Sequence, residues 1–183
     1  ATHFPEEYQH NFFQCEPSQN IVHRCLLKRD GSGYKGHRAE QEQQSEFLAS
    51  TDQWFRPVNV RVGPDGALYI SDMYREIIED YSAIPRFLQQ QYGVAYGDKH
   101  GRIWRLVSAE KPLRSIENLT DKSSAELVPY LGDSDSWWRE TSQRLLTERK
   151  DDTVIPAIRQ IAREGKTPQA KIHALHTLAG LSA

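Results

Sequence analysis

The chain has no long apolar run. Nothing in it approaches the roughly 20 residues a helix needs to cross a bilayer, and mean hydropathy is −0.70 with 38% hydrophobic residues. It also has no surplus of one charge: 23 Lys and Arg stand against 25 Asp and Glu, for a net charge of −2. Without a basic cluster there is no footprint for nucleic acid or an anionic membrane surface. Ala1-Thr2-His3-Phe4-Pro5 has neither the basic start nor the apolar middle of a signal peptide. Because the first residue is not Met and strand-like sequence follows at once, the chain reads as a fragment.

Cysteine is scarce. Cys15 and Cys25 form no Cys-x-x-Cys or Cys-x-x-Cys-His, so a zinc knuckle or covalent haem has no anchor in this segment. With Pro17-Ser18-Gln19-Asn20 as a turn, Cys15 stands opposite Val22 and Cys25 opposite Phe12, on opposite faces of a hairpin. A loop one residue longer would bring both sulfurs to one face. Two buried free thiols are the simpler expectation. Histidine and carboxylates do not group at metal-ligand spacing either. His173 and His176 share a helical face at i, i+3 with no Asp or Glu beside them, which reads as a packed or solvated pair, and no metal site is expected.

What is present falls into two halves of different period; 183 residues accommodate one domain or two small ones. Val58, Val60 and Val62 alternate, Gly63-Pro64-Asp65-Gly66 reverses the chain, and Leu68 and Ile70 alternate again. Pro64 presets one turn dihedral and Gly66 supplies a positive φ. Such a hairpin is the middle of a β-propeller blade. A weak repeat supports that reading. Asn11-Phe12-Phe13-Gln14-Cys15 followed by Asn20-Ile21-Val22-His23-Arg24 matches Ala67-Leu68-Tyr69-Ile70-Ser71 followed by Gly101-Arg102-Ile103-Trp104-Arg105. The stretch from Lys28 to Ser45 reads as a solvated excursion before a strand at Glu46-Phe47-Leu48-Ala49. The longer one from Asp72 to His100 reads as a loop with one or two helical turns, and loops of that length are often functional.

After Val107 the period becomes helical. Ser123 and Glu126 have capping-box spacing, and Asp135 opens a helix carrying Trp138, Leu145 and Leu146. Trp137-Trp138 reads as one core residue and one contact between repeats. Asp152 caps a third helix that tolerates Pro156 in its first turn and stops at Gly165. Thr167-Pro168 starts a fourth, with Ile172, Leu175, Leu178 and Leu181 on its buried face. Short-turned helical pairs of this kind read as HEAT-like repeats. The fold class expected is thus β plus α in two parts: residues 1–108 as about two blades of a partial propeller, 109–122 as linker, and 123–183 as HEAT-like helices.

Several residues are candidates for function. Arg56 starts a strand and either faces the channel to bind a carboxylate or stacks on an aromatic ring or pairs with Asp52. Asp72, Tyr74, Arg75, Glu76 and Glu79 cluster where the second strand ends. They offer calcium ligands or a partner for a sugar hydroxyl, unless Arg75 and Glu79 simply pair on a short helix at i, i+4. His23-Arg24 either lines the channel wall, or His23 is a hydrogen-bonded structural histidine.

The landmarks Cys15-Glu16-Pro17, Glu46-Phe47-Leu48-Ala49-Ser50-Thr51-Asp52, Trp54-Phe55-Arg56-Pro57, Asp72-Met73-Tyr74-Arg75, Ile78-Glu79 and Gly101-Arg102-Ile103-Trp104-Arg105 carry a resemblance. Nearly the whole chain is similar to the PVC-type membrane-bound dehydrogenases, whose propeller resembles pyrroloquinoline-quinone-dependent sugar and sorbosone dehydrogenases. The resemblance implies an exported or periplasmic oxidoreductase, membrane-associated through the rest of the protein, that oxidises a sugar or alcohol. It implies pyrroloquinoline quinone and calcium as cofactors, Arg56 as a quinone-binding residue and a c-type haem domain downstream. One departure stands out. Where the soluble sugar dehydrogenases carry Arg-x-Arg-Asp-Val, this chain has Arg56-Pro57-Val58-Asn59-Val60, keeping the first arginine and losing the second and the aspartate. The catalytic base of that superfamily lies in earlier blades, so no catalytic residue is assigned and this segment alone is expected to be inactive. The alternative is a non-catalytic propeller and HEAT scaffold that binds a protein, on the concave helical face, or a glycan.

Overall fold

The computed structural model describes residues 2–78, 83–92 and 96–183. Among them seven strands form two antiparallel sheets accompanied by five α-helices, and neither sheet closes into a barrel. The chain divides into two compact units: Phe4–Arg61 with Leu68–Glu110, and Ala1–His3 with Val62–Ala67 and Lys111–Ala183.

In the first unit, β1 (Asn11–Glu16) and β2 (Ile21–Asp30) form a hairpin. Its register sets Cys15 against Val22 and Cys25 against Phe12. The tight turn thus keeps the sulfurs on opposite faces, and both thiols are free and half-buried rather than fully enclosed. The stretch from Lys28 onward differs from the expected excursion. β2 runs on to Asp30 and turns at Gly31, and β3 (Gly33–His37) pairs back along it, every residue exposed. Polar and glycine residues on both faces conceal this strand pair, across which Arg29 lies 5.9 Å over the ring of its partner Tyr34. β4 is brief, Leu48–Ala49, and pairs with Ile21 and Val22.

The second sheet has the order β5 (Pro57–Val62), β6 (Leu68–Asp72), β7 (Arg102–Leu106). Central β6 buries Leu68, Ile70 and Asp72, the alternation its sequence shows. On outer β5 the valines are not buried: Val58 is 45% exposed and Pro57 lies inside instead. An outer strand of three has a partner on one edge only, so alternation there does not guarantee a covered face. The two halves of the repeat pair identically. Phe13 stands opposite Arg24 as Tyr69 does opposite Arg105, and Cys15 opposite Val22 as Ser71 does opposite Ile103. Burial separates the copies, since Val22 is 0% exposed and Ile103 71%. Helix α1 (Arg86–Tyr92) lies in the long connection between β6 and β7.

The other unit is helical: α2 (Ser124–Leu127), α3 (Ser136–Arg149), α4 (Ile155–Glu164) and α5 (Pro168–Gly180). Ser123 and Glu126 form the complete capping box, and Asp135 and Thr167 cap α3 and α5. The third cap is Asp151 rather than Asp152: its carboxylate holds a 3-10 turn over Asp152–Val154 that leads into α4. Gly165 ends α4 without a left-handed φ. A Cβ there would come within 2.6 Å of the Ile161 carbonyl oxygen, so the requirement is close approach. Trp138, Leu127, Leu131, Leu146, Ile158 and Ala174 are at most 1% exposed and form the centre of the core. α5 departs from its expected face. Ala170, Ala174, Thr177, Leu178 and Leu181 are buried, while Ile172 and Leu175 are 52% and 56% exposed. Apolar residues surround this helix, so hydropathy alone does not choose the stripe; the small residues Ala170, Ala174 and Thr177 do, because they admit close helix packing.

The Gly63–Ala67 turn belongs to the helical unit. Trp138 Nε1 donates to the Pro64 carbonyl at 2.8 Å, and the Arg114 amide donates to the Asp65 carbonyl at 3.1 Å. The Arg114 guanidinium lies 4.1 Å over the Trp138 ring and makes two 2.8 Å bonds to Asp133, while Tyr130 stacks on the indole. Gly66 sits at φ +80°, where an added Cβ would meet Thr2 Oγ1 at 2.8 Å.

Candidate functional site

The second sheet ends in a polar cluster built on Asp72, the last residue of β6. β6 alternation turns its side chain to the same face as Leu68 and Ile70, and the pairing with β7 brings Arg102 directly opposite and Trp104 two residues along. Asp72 accepts four hydrogen bonds. Its Oδ1 takes the amides of Arg56 and Tyr74 at 2.8 and 2.9 Å, and its Oδ2 takes Arg102 Nε and Trp104 Nε1 at 2.8 and 3.0 Å. Burial by itself would raise the Asp72 pKa; the bonds from Arg102, Arg56, Trp104 and Tyr74 outweigh it and hold the carboxyl below the usual carboxylate range. The group is ionised and saturated.

Arg102 completes the cluster. Its Nη2 donates to Asp52 at 3.0 Å, and its guanidinium lies 3.9 Å from the Tyr74 ring centroid and 4.7 Å from that of Trp104. Asp52 also accepts from the Trp54 amide, the main reason its own pKa is lowered, with Arg102 adding to the effect. Tyr74 has φ +50°, a left-handed conformation rarely adopted by an aromatic residue. The Asp72 bond to its amide holds it there, and a Cβ on neighbouring Gly97 would collide with the Tyr74 carbonyl.

Arg56 touches Asp72 only through its amide. Its guanidinium donates to the carbonyls of Arg75 and Pro17, each at 2.9 Å, and to that of Glu76. It therefore neither pairs with Asp52 nor presents its whole fork to solvent; it ties the β1–β2 turn to the segment leaving β6. Arg75 is held at both ends of its backbone, its amide donating to Trp54 O at 3.1 Å and its carbonyl accepting from Arg56. Its side-chain Nε and Nη1 are buried, and neither meets an acceptor among the described residues. Glu76 contributes its backbone: its amide reaches Tyr96 O and its carbonyl accepts from Arg56. Glu79 lies outside the described residues. His23 belongs elsewhere, with Nδ1 2.7 Å from Glu46, whose other oxygen meets Arg38 at 2.8 Å.

Arg102, Trp104 and Asp52 escaped sequence reasoning as site members, although Arg102 and Trp104 lie in the repeated strand at i, i+2. That spacing puts them on one face, and it was the available signal. In the first sheet Arg24, singled out with His23 as a channel-wall candidate, is held by other groups. It is 4% exposed, bonded to Glu42 at 2.8 Å and lies 4.3 Å over Tyr8.

As a cofactor site the cluster fits poorly. Calcium takes six to eight oxygen ligands, and at Asp72 it would have to displace Arg102 and Trp104. Among the described residues, His, Cys, Asp and Glu do not gather in threes, and no helix is long and apolar enough to cross a membrane. His173 accepts or donates at 2.6 Å with Gln143, and His176 is exposed.

No curated protein and no solved structure matches the chain. A family of unknown function, DUF7133, matches residues 1–110 of the 183, which take in both sheets and every residue bonded to Asp72. By that match the chain belongs to the DUF7133 family.

Proposed function

We propose that the two sheets are blades of a β-propeller, that the helices are HEAT-type repeats, and that the chain serves as a recognition scaffold rather than as a redox catalyst. Within this segment, where the resemblance assigns no catalytic base either, the saturated carboxylate of Asp72 carries this reading. A general base needs a lone pair within reach of substrate, and each Asp72 oxygen already accepts two N–H groups from the protein. The identical register of the two repeat halves supports the blade assignment. In that arrangement the exposed face around Ile103 corresponds to the one that Val22 buries in the first copy.

The test is the Asp72→Asn variant of the intact natural protein, assayed with pyrroloquinoline quinone, calcium and a redox dye against aldoses and alcohols. A scaffold shows no saturable quinone binding and no dye reduction before or after substitution. Dye reduction in the unsubstituted protein would reject the reading.

The second reading, a quinone-dependent sugar or alcohol dehydrogenase, draws on the resemblance and on Arg56, which retains the family's first arginine. Its cost is that Arg56 would have to release at least one carbonyl to offer a paired fork to a quinone carboxylate. The same assay decides between the two readings.

A further inference from the structure

We propose that the segment leaving β6 binds a small oxyanion, a carboxylate or phosphate group, with Arg75 as its principal donor. This inference rests on the recognition reading and names its ligand chemistry.

A guanidinium does not shed its proton inside a protein, so burial cannot be relieved by neutralisation. It requires acceptors, and a buried cation without them is costly. Arg75 Nε and Nη1 are buried with no acceptor among the described residues. The neighbouring cation is no better compensated. Arg56 reaches only neutral carbonyls, one of them that of Arg75 itself at 2.9 Å. Three other arginines of this unit behave differently: Arg24 meets Glu42, Arg38 meets Glu46, and Arg102 meets Asp52 and Asp72, all within 3.0 Å. Arg56 and Arg75, joined through the Arg75 backbone carbonyl and each without a carboxylate partner among the described residues, differ in this from those three, and an oxyanion is the group that would satisfy them.

The backbone around them is fixed in advance. The Arg75 amide and carbonyl are both bonded. Tyr74, immediately before it, is held in a left-handed conformation, and strain of that kind concentrates at binding sites and switches. The donor is thus carried on a backbone that is hydrogen-bonded through both its amide and its carbonyl, which lowers the ordering cost of binding.

The test titrates the 15N-labelled chain with sodium phosphate and, separately, with sodium acetate, holding ionic strength constant with sodium chloride. The side-chain Nε–H resonance of Arg75, assigned by its loss in Arg75→Lys, is followed together with the thermal midpoint. The expected result is a saturable shift of that resonance. Thermal stabilisation by the same anion should fall at least tenfold in apparent affinity in Arg75→Gln, with a smaller weakening in Arg56→Lys. A shift with both anions assigns a general oxyanion site; a shift with phosphate alone assigns a phosphate site. An unmoved resonance, or stabilisation equal in Arg75→Gln, overturns the proposal. So does a resonance that moves in Glu79→Gln or Asp80→Asn without added anion while phosphate leaves the unsubstituted chain unchanged, because the counter-ion is then internal. Should Arg75→Gln fail to fold, the titration of the unsubstituted chain still decides. None of these readouts depends on dye reduction, so this inference and the scaffold reading fail separately.

Discussion

Arg102 binds Asp72 edge-on, Nε to Oδ2 at 2.8 Å, with its guanidinium 3.9 Å from the Tyr74 ring centroid and 4.7 Å from that of Trp104. The carboxylate is fully buried and the guanidinium about one-third exposed at 36%. Asp72 holds the start of β5, the segment leaving β6 and the start of β7 to one point, because its other partners are the amides of Arg56 and Tyr74 and the indole of Trp104.

Replacing Asp72 with Ala removes an acceptor that serves four donors. Breaking one side of a buried ion pair costs roughly 3–5 kcal/mol, and partial exposure of Arg102 reduces this to about 2–4 kcal/mol. The midpoint of urea unfolding reports the loss. An Asp72→Ala protein within about 0.5 kcal/mol of the original would show that the hub has no structural weight.

Acid should weaken the fold through Asp72 and Asp133, both held below the ordinary value of 3.8. For each, burial alone raises the pKa, and hydrogen bonds prevail, from Arg102 at Asp72 and from Arg114 at Asp133. A carboxyl with a depressed folded-state pKa adds stability above its unfolded value, and that contribution is lost as pH falls through the folded value. Urea midpoints should therefore hold steady from pH 7 to about 5 and then drop below about pH 4. Asp72→Asn should flatten that drop. An unchanged slope in the variant refutes the assignment.

Trp138 is 0% exposed and donates to the Pro64 carbonyl. Trp138→Ala should cost about 3–5 kcal/mol, a large share of the roughly 5–15 kcal/mol that holds an ordinary domain together. Trp138→Phe keeps most of the volume but leaves that carbonyl without its indole donor, a loss of about 1–2 kcal/mol. Circular dichroism at 222 nm during denaturation distinguishes the variants.

Gly66→Ala combines a φ of +80° with a Cβ 2.8 Å from Thr2 Oγ1 and 3.2 Å from the His3 amide nitrogen. More than about 1 kcal/mol of destabilisation should follow. Gly31→Ala, also at positive φ but with nothing within 4 Å, should pay only the conformational term. Equal losses at both glycines would remove the steric part of the argument.

On α5, Leu178→Ala should destabilise by about 2–4 kcal/mol, whereas Ile172→Glu and Leu175→Glu should change stability by less than about 0.5 kcal/mol. Thermal melts of the three proteins check this. A large loss from either Glu substitution would mean that the exposed side of the helix is covered in solution.

The parts legible in sequence were those set by local chemistry: the Gly63–Gly66 turn, the β1–β2 register with its opposed cysteines, the capping box at Ser123 and the caps at Asp135 and Thr167. Patterns that depend on what lies across from them were not. Val58 looks inward by alternation yet lies on an outer strand, and Ile172 looks inward by hydropathy on a helix where alanines set the contact. At the site, Arg56 and Asp72 were singled out and do meet, but amide to carboxylate, a contact that side-chain identity cannot announce. Arg102 comes from the far end of a 29-residue connection, from Met73 to Gly101, and only the strand register makes it a neighbour.

Two glycine turns of similar composition have opposite uses for an experimenter. The Gly63–Ala67 reversal is enclosed, with Asp65 1% and Ala67 0% exposed, so an epitope or fluorescent peptide inserted there would disrupt packing. The Asp30–Gly33 reversal joins two fully solvated strand ends and has open space at Gly31. Of the two, it is the place to splice a reporter and the one at which a protease should nick the folded protein first.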